Sequence, residues 1–136
     1  MKEALFTGSG VAIVTPFKDG AVNFPALGRL IDRQIAGGTD AIIVCGTTGE
    51  AATMTQKERM EAIAYCVDHT AGRVPVIAGT GANDTQAARE NSLAAERLGV
   101  DGLLIVTPYY NKATQQGLLR HYKTIADSVS TPIILY

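Results

Sequence analysis

The stretch "AIIVCGTTGE", Ala41–Glu50, decides how this chain folds. Its first five residues, Ala41–Cys45, are apolar at every position, and Ile42, Ile43 and Val44 favour extended backbone. A strand with one wet face alternates apolar and polar residues. An unbroken apolar run suits a strand buried on both faces, as in a parallel sheet. Gly46 and Gly49 then allow a sharp turn and a close approach of backbone.

The same alternation of apolar run and helical pattern extends in both directions. Upstream, Gly10–Phe17 ("GVAIVTPF") reads as a first strand, and Phe24–Ala36 places Leu27, Leu30, Ile31 and Ile35 at spacings of three and four. That helix stops at Gly37-Gly38, a C-terminal cap signal. Downstream, Thr55-Gln56-Lys57-Glu58 forms a capping box, in which Thr and Glu each satisfy the other's backbone N–H. Met60, Ile63, Ala64 and Val67 give the apolar stripe of the helix it opens. Val74–Gly79 is the third strand. Asn83–Gln86 reads as a second capping box, opening a helix through about Leu98. Gly102–Pro108 is the fourth strand, Thr114–Val129 a helix with Leu118, Leu119, Tyr122, Ile125 and Ala126 inward, and Pro132–Tyr136 the fifth strand.

Four βα units and one more strand recur at a spacing of about 30 residues, the length of a right-handed βαβ crossover. The fold class is therefore α/β, built from parallel βα repeats. Two arrangements remain open, a doubly wound open sheet and part of a (βα)8 barrel. Both bind ligands beyond the C-terminal ends of the strands.

Composition narrows the function. The 136 residues carry a net charge of −1, with 46% hydrophobic and 18% charged residues, and no basic patch suits nucleic acid or an anionic membrane. No apolar stretch approaches the roughly 18 residues of a membrane span. The N-terminal "MKEALFTGSG" lacks a signal-peptide core. Cys45 and Cys66 have no metal-ligand spacing and read as free thiols of a reducing, cytoplasmic protein. No metal or cofactor is expected.

Chemistry-bearing residues collect at the expected strand ends. After the second strand, Thr47 and Thr48 offer two hydroxyls and two N–H groups between glycines, a turn able to hold a carboxylate; an ordinary Gly/Thr turn is the alternative. After the third, "GTGAND" (Gly79–Asp84) lacks the lysine of a P-loop and the glycine spacing of a dinucleotide site, so helix capping by Asn83 or Asp84 is the simpler role. After the fourth, "TPYYN" (Thr107–Asn111) presents Tyr109 and Tyr110, which suit either proton transfer or packing at an interface. Tyr136 closes the fifth. In a barrel, Thr47, Tyr110 and Tyr136 converge, and three hydroxyls in a row can pass a proton.

Four motifs in this order, "GSGVAIVTPF", "GTTGE", "PVIAGTGAN" and "VTPYYN", resemble the dihydrodipicolinate synthase family, pyruvate-dependent class I aldolases that also include N-acetylneuraminate lyase. The paired threonines and "PYYN" favour the synthase branch. The resemblance covers the whole chain and implies the N-terminal half of a TIM (βα)8 barrel, so that residues 1–136 form a single half-barrel domain and the stop at Tyr136 is not a natural domain end. It implies condensation of pyruvate with aspartate semialdehyde in lysine biosynthesis. It also implies a proton relay of Thr47, Tyr136 and Tyr110, with Tyr110 crossing to a neighbouring subunit, and pyruvate carboxylate binding by Thr47 and Thr48. The resemblance places the Schiff-base lysine on a sixth strand. Lys2, Lys18, Lys57, Lys112 and Lys123 all fall outside the expected strands. The chain by itself is therefore expected to be inactive, and to self-associate at least as a dimer or to pair with a C-terminal half-barrel. Asn83 and Tyr109 match an allosteric lysine site, but Ala51, Gln56, Arg59 and Ala87 depart from the Ser, His, His and Glu of lysine-sensitive relatives. The alternatives are a self-associating half-barrel without chemistry and an anion-binding open-sheet module.

Overall fold

The computed structural model describes residues 4–136. Five short strands form one parallel sheet: β1 (Gly10–Ala12), β4 (Ala41–Val44), β5 (Val76–Gly79), β6 (Gly102–Ile105) and β7 (Ile133–Leu135). Their spatial order equals their order in sequence. A doubly wound sheet reverses direction at a switch point, and this sheet does not, so the architecture is a slice of a barrel wall that has not closed. The crossovers are α1 (Phe24–Ala36), α2 (Gln56–Thr70), α3 (Thr85–Arg97) and α4 (Gln115–Ala126).

The register sorts side chains onto two faces. Val11, Ile42 and Val76 lie across from one another, as do Ala78, Leu103 and Ile133. These residues belong to the core or pack against it, together with Leu27 and Ile31 of α1, Ala62, Ile63 and Cys66 of α2, Ala88 and Ala95 of α3 and Ile125 of α4. Ala12, Ile43, Ile77 and Gly102 line the opposite face. There Leu5 and Phe6 reach the strand starts: a Cβ on Gly102 would meet Leu5 at 2.8 Å, and one on Gly10 would meet Phe6 at 2.9 Å. Further along that face Ile43 and Leu104 are half-buried, while the other four residues of the run Ala41–Cys45 are buried, as expected of a strand covered on both faces.

Sequence signals at the helix ends translate into bonds. Asn23 caps α1 by accepting from Ala26 N at 3.1 Å. At α2 both halves of the Thr55–Glu58 capping box are present. Three expectations are corrected. The first strand ends at Ala12, and the chain then forms a small hairpin, β2 (Phe17–Lys18) with β3 (Ala21–Val22), turned by Asp19 and Gly20 at φ 53° and 78°. Lys18 thus does lie in a strand, though an exposed one outside the main sheet. At α3 the cap is Asp84, which accepts from Gln86 N, while the Gln86 side chain turns to Glu90, so there is no capping box. Leu119 and Ala126 are exposed, not inward; they form an apolar groove with Ile133 and Leu135 beside the edge strand β7, which no further helix covers among the described residues.

A candidate active site at the strand C-terminal ends

The turn after β4 is held between two non-glycine residues in the left-handed region, Cys45 at φ 54° and Glu50 at φ 57°. Inside it, Gly49 N donates to Gly46 O and Glu50 N to Thr47 O, each at 3.0 Å. The conformation is braced from outside by Thr15, a buried hydroxyl that donates to Gly49 O at 2.7 Å. A Cβ on Gly79 would collide with the Cys45 carbonyl, so glycine at the end of β5 is what lets the turn lie against that strand. The result leaves Thr47 and Thr48 exposed on a rigid turn.

Thr47 borders a hollow of about 290 Å3 lined also by Cys45, Glu50, Arg59, Tyr109 and Tyr136, with glycines and apolar residues between them. Tyr136 continues the β7 pairing: its N–H donates to Ile105 O at 3.0 Å and its carbonyl accepts from Thr107 N at 2.9 Å. Tyr122 of α4 donates its hydroxyl to Ile105 O at 3.2 Å, with Tyr136 O at 3.4 Å, and burial pushes its phenol pKa up. Tyr110 stands apart. It sits at φ 66° and is 95% exposed, meeting Tyr109 edge-to-face at 6.3 Å rather than lining the hollow. Its loop is pinned by Asn111, which donates to Asn83 O at 2.7 Å. The structure therefore brings Thr47, Tyr109 and Tyr136 to one hollow, leaves Thr48 exposed and outside its lining, turns Tyr110 outward and uses Asn83 as a loop clasp.

Burial raises the Cys45 thiol pKa to about 11, against the opposing charge of Arg59, and so disfavours the thiolate. Lys112 lies on the Tyr110 loop, exposed and at φ 49°, and does not line the hollow. Sequence reasoning missed Thr15. Its signal was a repeat: Val-Thr-Pro ends both the first apolar run, at Val14–Pro16, and the fourth, at Val106–Pro108.

A singly wound parallel βα sheet with a hollow over the strand C-terminal ends is the architecture of a (βα)-barrel wall. The model of the dihydrodipicolinate synthetase family matches residues 5–136, and the chain belongs to that family. It is 60% identical over 132 residues to the 4-hydroxy-tetrahydrodipicolinate synthase of Clostridium novyi, covering 97% of this chain and 45% of that protein. Among solved structures, dihydrodipicolinate synthase from Aquifex aeolicus is similar at a TM-score of 0.94 and 53% identity, over 96% of this chain and 45% of that one. The Acinetobacter baumannii dihydrodipicolinate synthase complexed with pyruvate gives a TM-score of 0.92 and 51% identity, over 95% and 45% of the two chains. The chain thus spans a little under half the length of the relatives it matches, and aligns with their N-terminal part. Among the described residues no helix is long and apolar enough to cross a membrane.

Proposed function

We propose that this chain is one half-barrel domain that supplies the carboxylate turn and the proton relay of a synthase condensing pyruvate with aspartate semialdehyde. The observation that carries the reading is the shared hollow: Thr47 and Tyr136 border it although they are far apart in sequence. The exposed Thr47–Thr48 turn offers hydroxyls and N–H groups to the pyruvate carboxylate, and its bracing by Thr15 keeps those donors in place without reorganisation. Tyr136 passes a proton to and from Thr47, and Tyr110, turned outward, completes the relay in a neighbouring copy. The Acinetobacter baumannii relative, complexed with pyruvate, supports this ligand class. Among the described residues no lysine lies in the five-stranded sheet, so the covalent step needs an amine from outside these strands.

The test is co-expression of this chain with the remaining C-terminal part of the Clostridium novyi synthase. Formation of a 1:1 complex with synthase turnover that Thr47→Val or Tyr136→Phe abolishes is the expected result. A well-formed complex that traps pyruvate under borohydride yet turns over equally with both variants would remove these residues from the mechanism.

A further inference from the structure

The last strand of the sheet, β7, has three residues and pairs with β6 alone among the described residues. Few backbone bonds therefore fix where it starts. Tyr136 follows it directly, five positions beyond Thr131, and lines the hollow from there. Successive side chains of a strand point to opposite faces, so a one-residue slip of β7 would carry Tyr136 to the other face of the sheet. Glu96, near the C-terminal end of α3, meets the chain where it enters this strand. Its Oε2 accepts from Ser130 N at 2.9 Å, Thr131 N at 3.0 Å and the Thr131 hydroxyl at 2.9 Å, and its Oε1 accepts from the Ser130 hydroxyl at 3.1 Å. These donors, the Thr131 N–H and hydroxyl first, hold the Glu96 carboxyl below the ordinary glutamate pKa, and charge-assisted bonds of this kind are the stronger ones. Other strand starts are held more simply. Asp40 accepts from Ser9 N ahead of β1 and Asp101 from Val76 N at β5, one backbone N–H each. Pro132 then stiffens the step from the clasp into β7, and its carbonyl accepts from Leu103 N at 2.9 Å. At the far end the Tyr122 hydroxyl reaches the Tyr136 carbonyl at 3.4 Å.

We propose that Glu96 is a positioning residue for Tyr136: its clasp on Ser130 and Thr131 sets the register of β7 on β6 and so keeps the Tyr136 side chain in the hollow. The lever is about 16 Å of extended chain, short enough that an error at its start is carried to its end. Glu96 does not line the hollow, and it acts only through the strand. Its consequence for turnover rests on the reading of Tyr136 as a relay residue; its consequence for the placement of Tyr136 does not.

The experiment compares E96A and E96Q with D84A, which weakens the same helix at its other end without touching β7. In E96Q the amide oxygen can keep the three Oε2 contacts and the amide nitrogen can donate to the Ser130 hydroxyl, so the clasp survives without its charge. Amide hydrogen exchange is read by NMR on the 15N-labelled chain, and turnover in the complex with the C-terminal part of the Clostridium novyi synthase. The Tyr136 and Thr107 amides close β7 on β6 through Ile105 O and Tyr136 O. In E96A they are expected to exchange roughly tenfold faster, while the Ile42 and Thr80 amides elsewhere in the sheet keep their rates. In the complex, kcat is expected to fall roughly tenfold with the KM for pyruvate little changed, because the Thr47–Thr48 turn is untouched. E96Q restores both, and D84A reproduces neither. Wild-type exchange at Tyr136 and Thr107 in E96A overturns the proposal, because the clasp is then only local. Faster exchange spread evenly over the sheet also overturns it, because Glu96 then adds stability alone. Turnover lost in Tyr136→Phe but unchanged in E96A removes Glu96 and leaves the relay. Full turnover in Tyr136→Phe removes the relay, and the exchange rates still decide the placement. Should E96A fail to fold, T131V, which deletes one hydroxyl donor and keeps both N–H groups, is expected to give the same exchange pattern at smaller amplitude; wild-type rates there overturn the proposal as well.

Discussion

Cys45 adopts its left-handed conformation where β4 gives way to the Gly46–Gly49 turn, with the side chain fully buried beneath that turn. A non-glycine residue in this region carries strain of about 1–3 kcal/mol and persists only where surrounding contacts over-determine it. Here they do: Thr15 holds Gly49, and the bare backbone of Gly79 fits against the Cys45 carbonyl. Gly79→Ala is expected to cost about 1–3 kcal/mol by overpacking, read as a lowered urea midpoint with unchanged slope. Wild-type stability in that variant would mean that the turn is not wedged against β5. Both thiols also predict a pH effect. Burial raises Cys45 to about 11 and Cys66 to about 12, above the range of an unfolded cysteine. The stability each contributes is fully present below the unfolded pKa and is lost as pH rises through the folded one. The urea midpoint is therefore expected to fall between about pH 9 and 11, less steeply in Cys66→Ala. At pH 8 a thiol reagent should modify neither cysteine until the chain unfolds; rapid labelling of the native protein would contradict the burial.

At the scale of elements, the capping positions separate what the two neighbours Asn83 and Asp84 do. Asp84 carries the α3 cap, so Asp84→Ala is expected to destabilise by about 1 kcal/mol. Asn83→Ala leaves that cap intact and instead removes part of the clasp to Asn111, so hydrogen exchange should quicken in the loop around Tyr110 with little change in the urea midpoint. The reverse pattern would reassign the cap. The elements themselves were legible because their signals are local. The 3.6-residue period of Leu27 and Ile31, the Thr55–Glu58 box and the Gly37-Gly38 stop involve residues within a few positions of one another. The Asp19-Gly20 turn is an equally local signal, and it lies just beyond the Gly10–Phe17 run, whose Phe17 pairs across it in the hairpin. Leu119 differs from its expected inward placement because helical spacing shows that a face is apolar, not that something covers it.

For the whole molecule, β1 and β7 each pair on one side only among the described residues, and Leu135 and Val14 are 65% and 50% exposed. Unpaired strand edges flanked by exposed apolar side chains favour association. The chain in solution is expected to be at least a dimer, with a mass by light scattering that falls on dilution; a monomer mass at every concentration would overturn this. Replacing Leu135 with Lys at the β7 edge should shift the distribution towards monomer, since a charge there opposes edge pairing.

What the sequence determined by itself is the repeating unit: parallel strands, each followed by a helix, and the motifs at the strand ends that resemble one family. It also supplied Thr47, Tyr110 and Tyr136 as candidates, because turns and hydroxyls are visible one segment at a time. The tertiary structure decided how those segments meet. It placed Thr47 and Tyr136 on one hollow and turned Tyr110 outward, through strand register and the positive φ of a single loop residue. It set Arg59 against the Gly79 carbonyl, and it recruited Thr15 to brace a turn more than thirty residues away. The physical reason is range. Periodicity and caps rest on contacts within a turn or two of chain, while the site rests on the register of distant strands, which is settled only when the whole sheet packs against its helices.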